Sequence, residues 1–173
     1  VKKRFRFGKW EKDEFVFRGR EWKRGPDGEG LITMRSYAMG LSTLKLLKGS
    51  RQQLERELTD AEKTLLKQGT GELSWLSRQL RGDLSFTTGA CQRAAKAPCV
   101  GDLVRLNGGL SQAKRSADYV QKLPANWDIK DAVPLTVCDS GHANGQPESD
   151  EICKYQSVGA YFLCLADKCI LLG

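Results

Sequence analysis

Long apolar runs are missing from this 173-residue chain: no stretch approaches the roughly 18 residues that a membrane-crossing helix requires. Histidine is nearly absent too, occurring only as His142, so a Ser-His-Asp or Cys-His catalytic set cannot be assembled. The six cysteines (91, 99, 138, 153, 164, 169) include no CxxC pair, which excludes the usual zinc and dithiol motifs. The start, "VKKRFRFGKW", is basic but has no apolar core behind it, so it is no secretory signal. With no sign of export, reduced structural cysteines are the expectation, and Cys138, Cys164 and Cys169 read as small buried hydrophobes within apolar runs. Adjacent aspartates, internal repeats and low-complexity tracts are also lacking. The chain opens on Val1 in what already reads as strand, as expected of a piece of a longer polypeptide.

What is present is ordinary in amount and unusual in placement. Hydrophobic residues make up 40% and charged residues 28%, enough apolar material to fold and too much for wholesale disorder. The net charge is +7, yet residues 1–56 carry a balance of +8 and residues 57–173 a balance of −1. A positive field confined to the first third points to a polyanion such as nucleic acid or a membrane surface; of the two, nucleic acid is the expected partner, and no membrane. The plainer alternative is a solvated, partly neutralised strand face.

In that first third, basic residues alternate with aromatics. Phe5 and Phe7, then Phe15 and Phe17, fall two apart, and the Gly25–Gly30 stretch "GPDGEG" has turn composition. Residues 4–34 therefore read as a small antiparallel meander with one apolar face, the other carrying Arg4, Arg6, Arg18, Arg20, Lys23 and Arg24 as candidate phosphate contacts. Trp10 and Trp22 could stack bases beside those cations, although core burial is the commoner fate of a large aromatic.

After residue 40 the period changes. "LSTLKLLKGSRQQLERE" reads as helix or a loosely helical connector. "TDAE" at 59–62 is a capping box, starting a helix whose stripe is Ala61, Leu65, Gly69, Leu73, Leu76 and Leu80. Gly69 and Gly71 inside it suggest a close contact or a break. Two shorter helices are expected on either side of Pro98, the second interrupted at Gly108-Gly109. "RGD" at 81–83 invites a cell-adhesion reading, but inside a helical segment it reads as coincidence.

The final third returns to strands at 119–123, at Leu135–Cys138, at 157–165 and at 169–172, the last two joined by a turn at 166–168. Segregated helices and strands make the class α+β. Asp139 stands where the Leu135–Cys138 strand gives way to a loop, the placement of a rigidly held metal-binding carboxylate. One carboxylate cannot hold two hard cations, and Glu148, Asp150 and Glu151 are not spaced as an EF-hand loop. They read as a solvated hairpin tip, and His142 has no third partner that would make it a base.

The segment "LTDAEKTLLKQGTGELSWLSRQLRGDLSF" (58–86) resembles the region after the polymerase domain in copia-type retrotransposon polyproteins. The matching places are Leu58, Thr59, Glu62, Gly71, Leu73, Trp75, Leu76, Arg81, Asp83 and Phe86, with Gly82 where the family has proline. Upstream, "FVFRGREWKRGPDGEGLITMRSYAMGL" is similar to the end of the reverse-transcriptase domain. Downstream, "VPLTVCDSGHANG" and "YQSVGAYFLCLADKCILL" resemble the first strands of the attached RNase H domain.

The resemblance implies three regions: the end of the reverse transcriptase (1–48), a helical thumb or connection (49–118), and a truncated RNase H-like sheet (119–173). It implies Asp139 as the first catalytic, magnesium-binding aspartate, its fellow ligands lying beyond Gly173. The fragment would then grip a primer–template or RNA–DNA hybrid, work with the rest of the polyprotein inside the cell (cytoplasm or nucleus), and catalyse nothing alone. The alternatives are a non-enzymatic nucleic-acid-binding protein from a degenerate or repurposed retroelement, and an interaction domain for an acidic protein.

Overall fold

The computed structural model describes residues 11–46, 52–125, 130, 132–141 and 158–167. The chain divides into two compact units, Val1–Ala125 and Asn126–Gly173, and its class is α+β. The first unit holds strands β1 (Glu14–Phe17), β2 (Arg20–Arg24), β3 (Gly30–Thr33) and β4 (Gln121–Leu123), and helices α1 (Arg35–Gly40), α2 (Asp60–Gln79), α3 (Ser85–Arg93) and α4 (Val100–Arg115). The second unit contributes β5 (Ala132–Gly141) and β6 (Val158–Asp167).

The four-stranded sheet runs β1-β2-β3-β4, every pair antiparallel. The β1–β2 hairpin closes on Arg18 and Gly19, both at positive φ (52° and 78°), the two-residue geometry whose twist matches its flanking strands. The expected turn at 25–30 joins β2 to β3, with the Gly25 amide donating to the Glu29 carbonyl at 2.8 Å. Sequence grouping places 119–123 with the C-terminal strands, but β4 pairs with β3, Gly30 facing Leu123 and Ile32 facing Gln121. The boundary between the units accordingly falls after Ala125.

The helices build the core. Thr59 caps α2 as its sequence requires: its hydroxyl accepts the Glu62 amide, and the Glu62 carboxylate accepts the Thr59 amide at 2.9 Å. A second, unforeseen box starts α4, where the buried Asp102 carboxylate accepts the Cys99 amide at 3.0 Å. The two helix starts are tied together. Glu57 bridges Cys99, and the Val100 amide donates to the Arg56 carbonyl at 3.0 Å.

Along α2 the buried residues are Leu66, Gly69, Thr70, Leu73, Leu76 and Ser77. The expected stripe therefore holds from Gly69 onward but not before it, since Leu65 is 43% exposed and Leu66 is buried in its place. Gly69 marks a close contact rather than a break. A Cβ there would meet Leu106 Cδ2 at 2.9 Å, and one on Gly109 would meet Leu73 Cδ2 and Thr87 Cγ2 at the same distance. Gly71 and Gly108 face open space, and α4 runs through Gly108-Gly109 without interruption. Leu73, Leu76, Leu84, Leu106 and Leu110 are almost wholly buried around this contact.

The 41–46 stretch is not helical. Asn107 of α4 takes over its backbone groups: Oδ1 accepts the Leu44 amide at 2.9 Å and Nδ2 donates to the Leu44 carbonyl at 3.2 Å. Leu41, Leu44 and Leu46 still reach the core, so an apolar pattern that suits a helix is satisfied by a non-helical strap.

In the second unit β5 and β6 pair antiparallel from Ala132–Asp167 to Gly141–Val158. Two expectations are corrected here. β5 continues past Cys138 because β6 supplies ladder partners as far as Val158, and Ala166 and Asp167 belong to β6 instead of a turn. The expected 169–172 strand lies outside the described residues. Among the described residues no helix is long and apolar enough to cross a membrane.

Two measurements check this account. Gly109→Ala should destabilise by about 1 kcal/mol in urea titration, because overpacking outweighs the helix-propensity gain, whereas Gly108→Ala should stabilise by about 0.5–1 kcal/mol. The Arg56 guanidinium, helped by the Thr59 amide, lowers Glu62 from 4.5 to about 2. A depressed folded-state value means that the contribution of Glu62 is complete above 4.5 and is lost as pH falls toward 2. Thermal melts between pH 5.5 and 2.5 should therefore show a smaller stability loss for Glu62→Gln than for the unaltered chain.

Candidate nucleic-acid interface

Ladder register decides which side chains share a face. Phe15 faces Trp22, which faces Ile32, and Phe17 faces Arg20, while Arg24 faces Gly30. One face of the sheet thus carries Phe15, Phe17, Arg20, Trp22 and Arg24 together, and the other carries Glu14, Val16, Glu21 and Lys23. This corrects the expected separation of the cations from Phe15 and Phe17. Positions 20, 22 and 24 have one parity, so the sequence held the signal: cations and aromatic interleave on a single pleated surface.

Phe15 and Trp22 stack, with ring centroids 5.7 Å apart and planes 7° from parallel. Phe15 is 36% and Phe17 56% exposed, a large aromatic area facing solvent beside charge. A cleft of about 380 Å³ opens here, lined by Phe15, Trp22, Lys12, Lys23 and Arg24 and bounded by Asp13, Glu29 and the glycines of the β2–β3 turn. Trp22 Nε1 is buried and has no hydrogen-bond partner among the described residues. An orphaned donor of this kind costs about 1–3 kcal/mol, which an acceptor on a ligand would relieve.

The predicted cations divide by role. Arg18 sits at the β1–β2 tip with its guanidinium 5.5 Å from the Phe17 ring centroid, an exposed cation already held against an aromatic face. Arg24 lies 3.7 Å from Asp13, both well exposed, so this pair is weak and a phosphate could displace it. Lys23 is exposed on the opposite face yet reaches the cleft rim. Arg20 is committed elsewhere: its Nε donates to Gln79 Oε1 at 3.0 Å, joining the sheet to the end of α2. Arg4, Arg6, Phe5, Phe7 and Trp10 lie outside the described residues. Lys12 is the feature that the sequence reading passed over; it sits two residues before the first exposed strand.

The other sequence motifs prove to be structural. Arg81 of "RGD" is 4% exposed, donating to both Asp83 carboxylate oxygens at 2.8 and 2.7 Å and to the Ser116 carbonyl at 2.8 Å. That hydrogen-bonded ion pair holds the Asp83 carboxyl below its ordinary range. An adhesion motif must present its arginine, and this one closes the end of α4. Cys91 is buried as a structural cysteine should be, but Cys138, expected in the interior, is exposed on the two-stranded ladder.

Asp139 lies inside β5, paired with Ala160 near one end of the ladder. His142, Glu148, Asp150 and Glu151 lie outside the described residues. No group of three or more His, Cys, Asp or Glu side chains comes together among the described residues, and a hard dication needs several oxygen donors.

Compared with known proteins, the chain matches no protein-family model, and no curated protein or solved structure is significantly similar to it.

The division between Arg20 and Arg24 is measurable. Arg20→Ala should cost about 1 kcal/mol of stability by removing the part-buried bond to Gln79. Arg24→Ala should shift the same denaturation curve by less than about 0.5 kcal/mol, since its ion pair is exposed.

Proposed function

We propose that this chain grips nucleic acid as a segment of a copia-type retrotransposon polyprotein, spanning the end of the reverse transcriptase, a helical connection and the first strands of an RNase H-like sheet. The observation that carries the reading is the single sheet face on which the Phe15–Trp22 stack lies beside Arg24, with Lys12 and Lys23 at its rim. Such a surface suits a primer–template junction. The cations meet backbone phosphates, and the exposed ring system takes an unpaired template base without regard to its identity. Support also comes from the concentration of the entire positive excess in residues 1–56.

In this reading Asp139 is one member of a magnesium-binding carboxylate set whose other members are supplied by other parts of the polyprotein. Magnesium would there assist cleavage of the RNA strand of a hybrid. The chain by itself binds without cutting, and its place of action is inside the cell.

Binding to a labelled primer–template with a single-stranded overhang, followed by anisotropy across a salt series, tests the proposal. Affinity should fall linearly on logarithmic axes, with a slope of about −2 to −4 for a few phosphate contacts. Arg24→Ala should reduce that slope by about 1, and Trp22→Leu should weaken binding about tenfold through lost stacking. Asp139→Asn should leave binding unchanged. Salt-independent binding overturns the electrostatic reading, and magnesium-dependent hybrid cleavage by this chain overturns the division of the carboxylate set.

A further inference from the structure

A second cleft, of about 400 Å³, lies within the helical region between α2 and the end of α3 with the 3-10 turn Ala94–Lys96. Its apolar lining includes Leu66, Ala95 and Pro98, with Leu66 and Pro98 buried. Lys63, Lys67 and Lys96 also line it. Lys63 is engaged by Glu57 at 2.9 Å, but Lys67 and Lys96 are exposed and have no ion-pair partner among the described residues. Thr70, a lining residue 7% exposed, buries its Oγ1 without a hydrogen-bond partner among the described residues. Thr64 and Thr88, by contrast, both return their hydroxyls to a carbonyl four residues earlier.

An apolar floor, two cations without ion-pair partners and a buried wall hydroxyl without a hydrogen-bond partner, all among the described residues, fit a ligand with both an apolar body and an anionic head. We infer that this cleft binds a small amphipathic organic anion, such as a medium-chain or aromatic carboxylate, with its apolar part against Leu66 and Pro98 and its carboxylate between Lys67 and Lys96. Thr70 donates the hydroxyl that no described residue takes up. Two features keep the cavity from opposing an anion. Glu57 and Asp60, the neighbouring acids, are drawn to Lys63. Cys91, also in the lining, remains a neutral thiol because burial pushes it up to about 11. The site is independent of the sheet surface and does not rest on the nucleic-acid reading.

Titration of the isotope-labelled full chain with octanoate, followed by amide NMR, tests the inference. Saturable shifts should be confined to amides around Thr70, Gln92 and Lys96. Octanol, the neutral counterpart, should bind at least about tenfold more weakly, as should octanoate to the Lys67→Ala/Lys96→Ala double variant. Thr70→Val separates a ligand role from a structural one. Loss of an orphaned hydroxyl should leave the fold intact or more stable, yet octanoate affinity should fall several-fold. Equal binding of octanol, shifts of the same size with inorganic phosphate, unchanged affinity in Thr70→Val, or no saturable shift at this cleft would each overturn it.

Discussion

The approach of α2 to α4 at Gly69 and Gly109 is the constraint on which the helical region depends. Each glycine leaves room for a leucine of the opposite helix, Leu106 against Gly69 and Leu73 against Gly109, at distances no Cβ would permit. Two helices brought this near bury Leu73, Leu106 and Leu110 completely and leave a shared base on which α3 lies. Each glycine weakens its own helix by about 1 kcal/mol relative to alanine, a cost the interlocked leucines offset through burial worth about 1.5–3 kcal/mol each. The paired caps at Thr59 and Cys99 hold the helix starts side by side, so the contact is aligned from its first turn.

From that base the remaining polar contacts follow as closures. Arg81 joins the turn after α2 to the end of α4 through Asp83 and Ser116, and its guanidinium also lies 5.4 Å from the Tyr119 ring centroid. Arg20 fastens the sheet to the end of α2, and Asn107 holds the strap at Leu44 against α4. Each uses a long or branched polar side chain to satisfy groups that a purely apolar core would strand. Many residues of the 58–86 segment have structural duties: Thr59 and Glu62 cap, Leu58, Leu73 and Leu76 fill the core, and Arg81 clamps. A motif of this kind speaks to a fold before it speaks to a reaction.

The sheet surface works by a different economy. Phe15 and Phe17 are exposed although the hydrophobic effect favours covering them, and the buried indole nitrogen of half-buried Trp22 lacks a partner among the described residues. Cations next to exposed rings offer both the long-range attraction and the short-range stacking that a single-stranded polyanion can use. Arg24 remains available because its ion pair with Asp13 is solvated, whereas Arg20, four residues earlier on the same face, is held by Gln79.

The α+β class, the turn at 25–30, the capping box at Thr59 and the leucine stripe beyond Gly69 were legible in the residues, because each depends on neighbours a few positions away. The sharing of one face by Trp22 and Arg24 was also present as simple parity. What could not be read were the pairings of distant segments. The chain could not announce that 121–123 would join β3, that Asn107 would take up the backbone groups of Leu44, or that Cys138 would be exposed. Local periodicity sets which side of an element is apolar. Only tertiary packing decides what that side meets, since the free energy of a long-range contact resides in two surfaces at once and is written in neither alone.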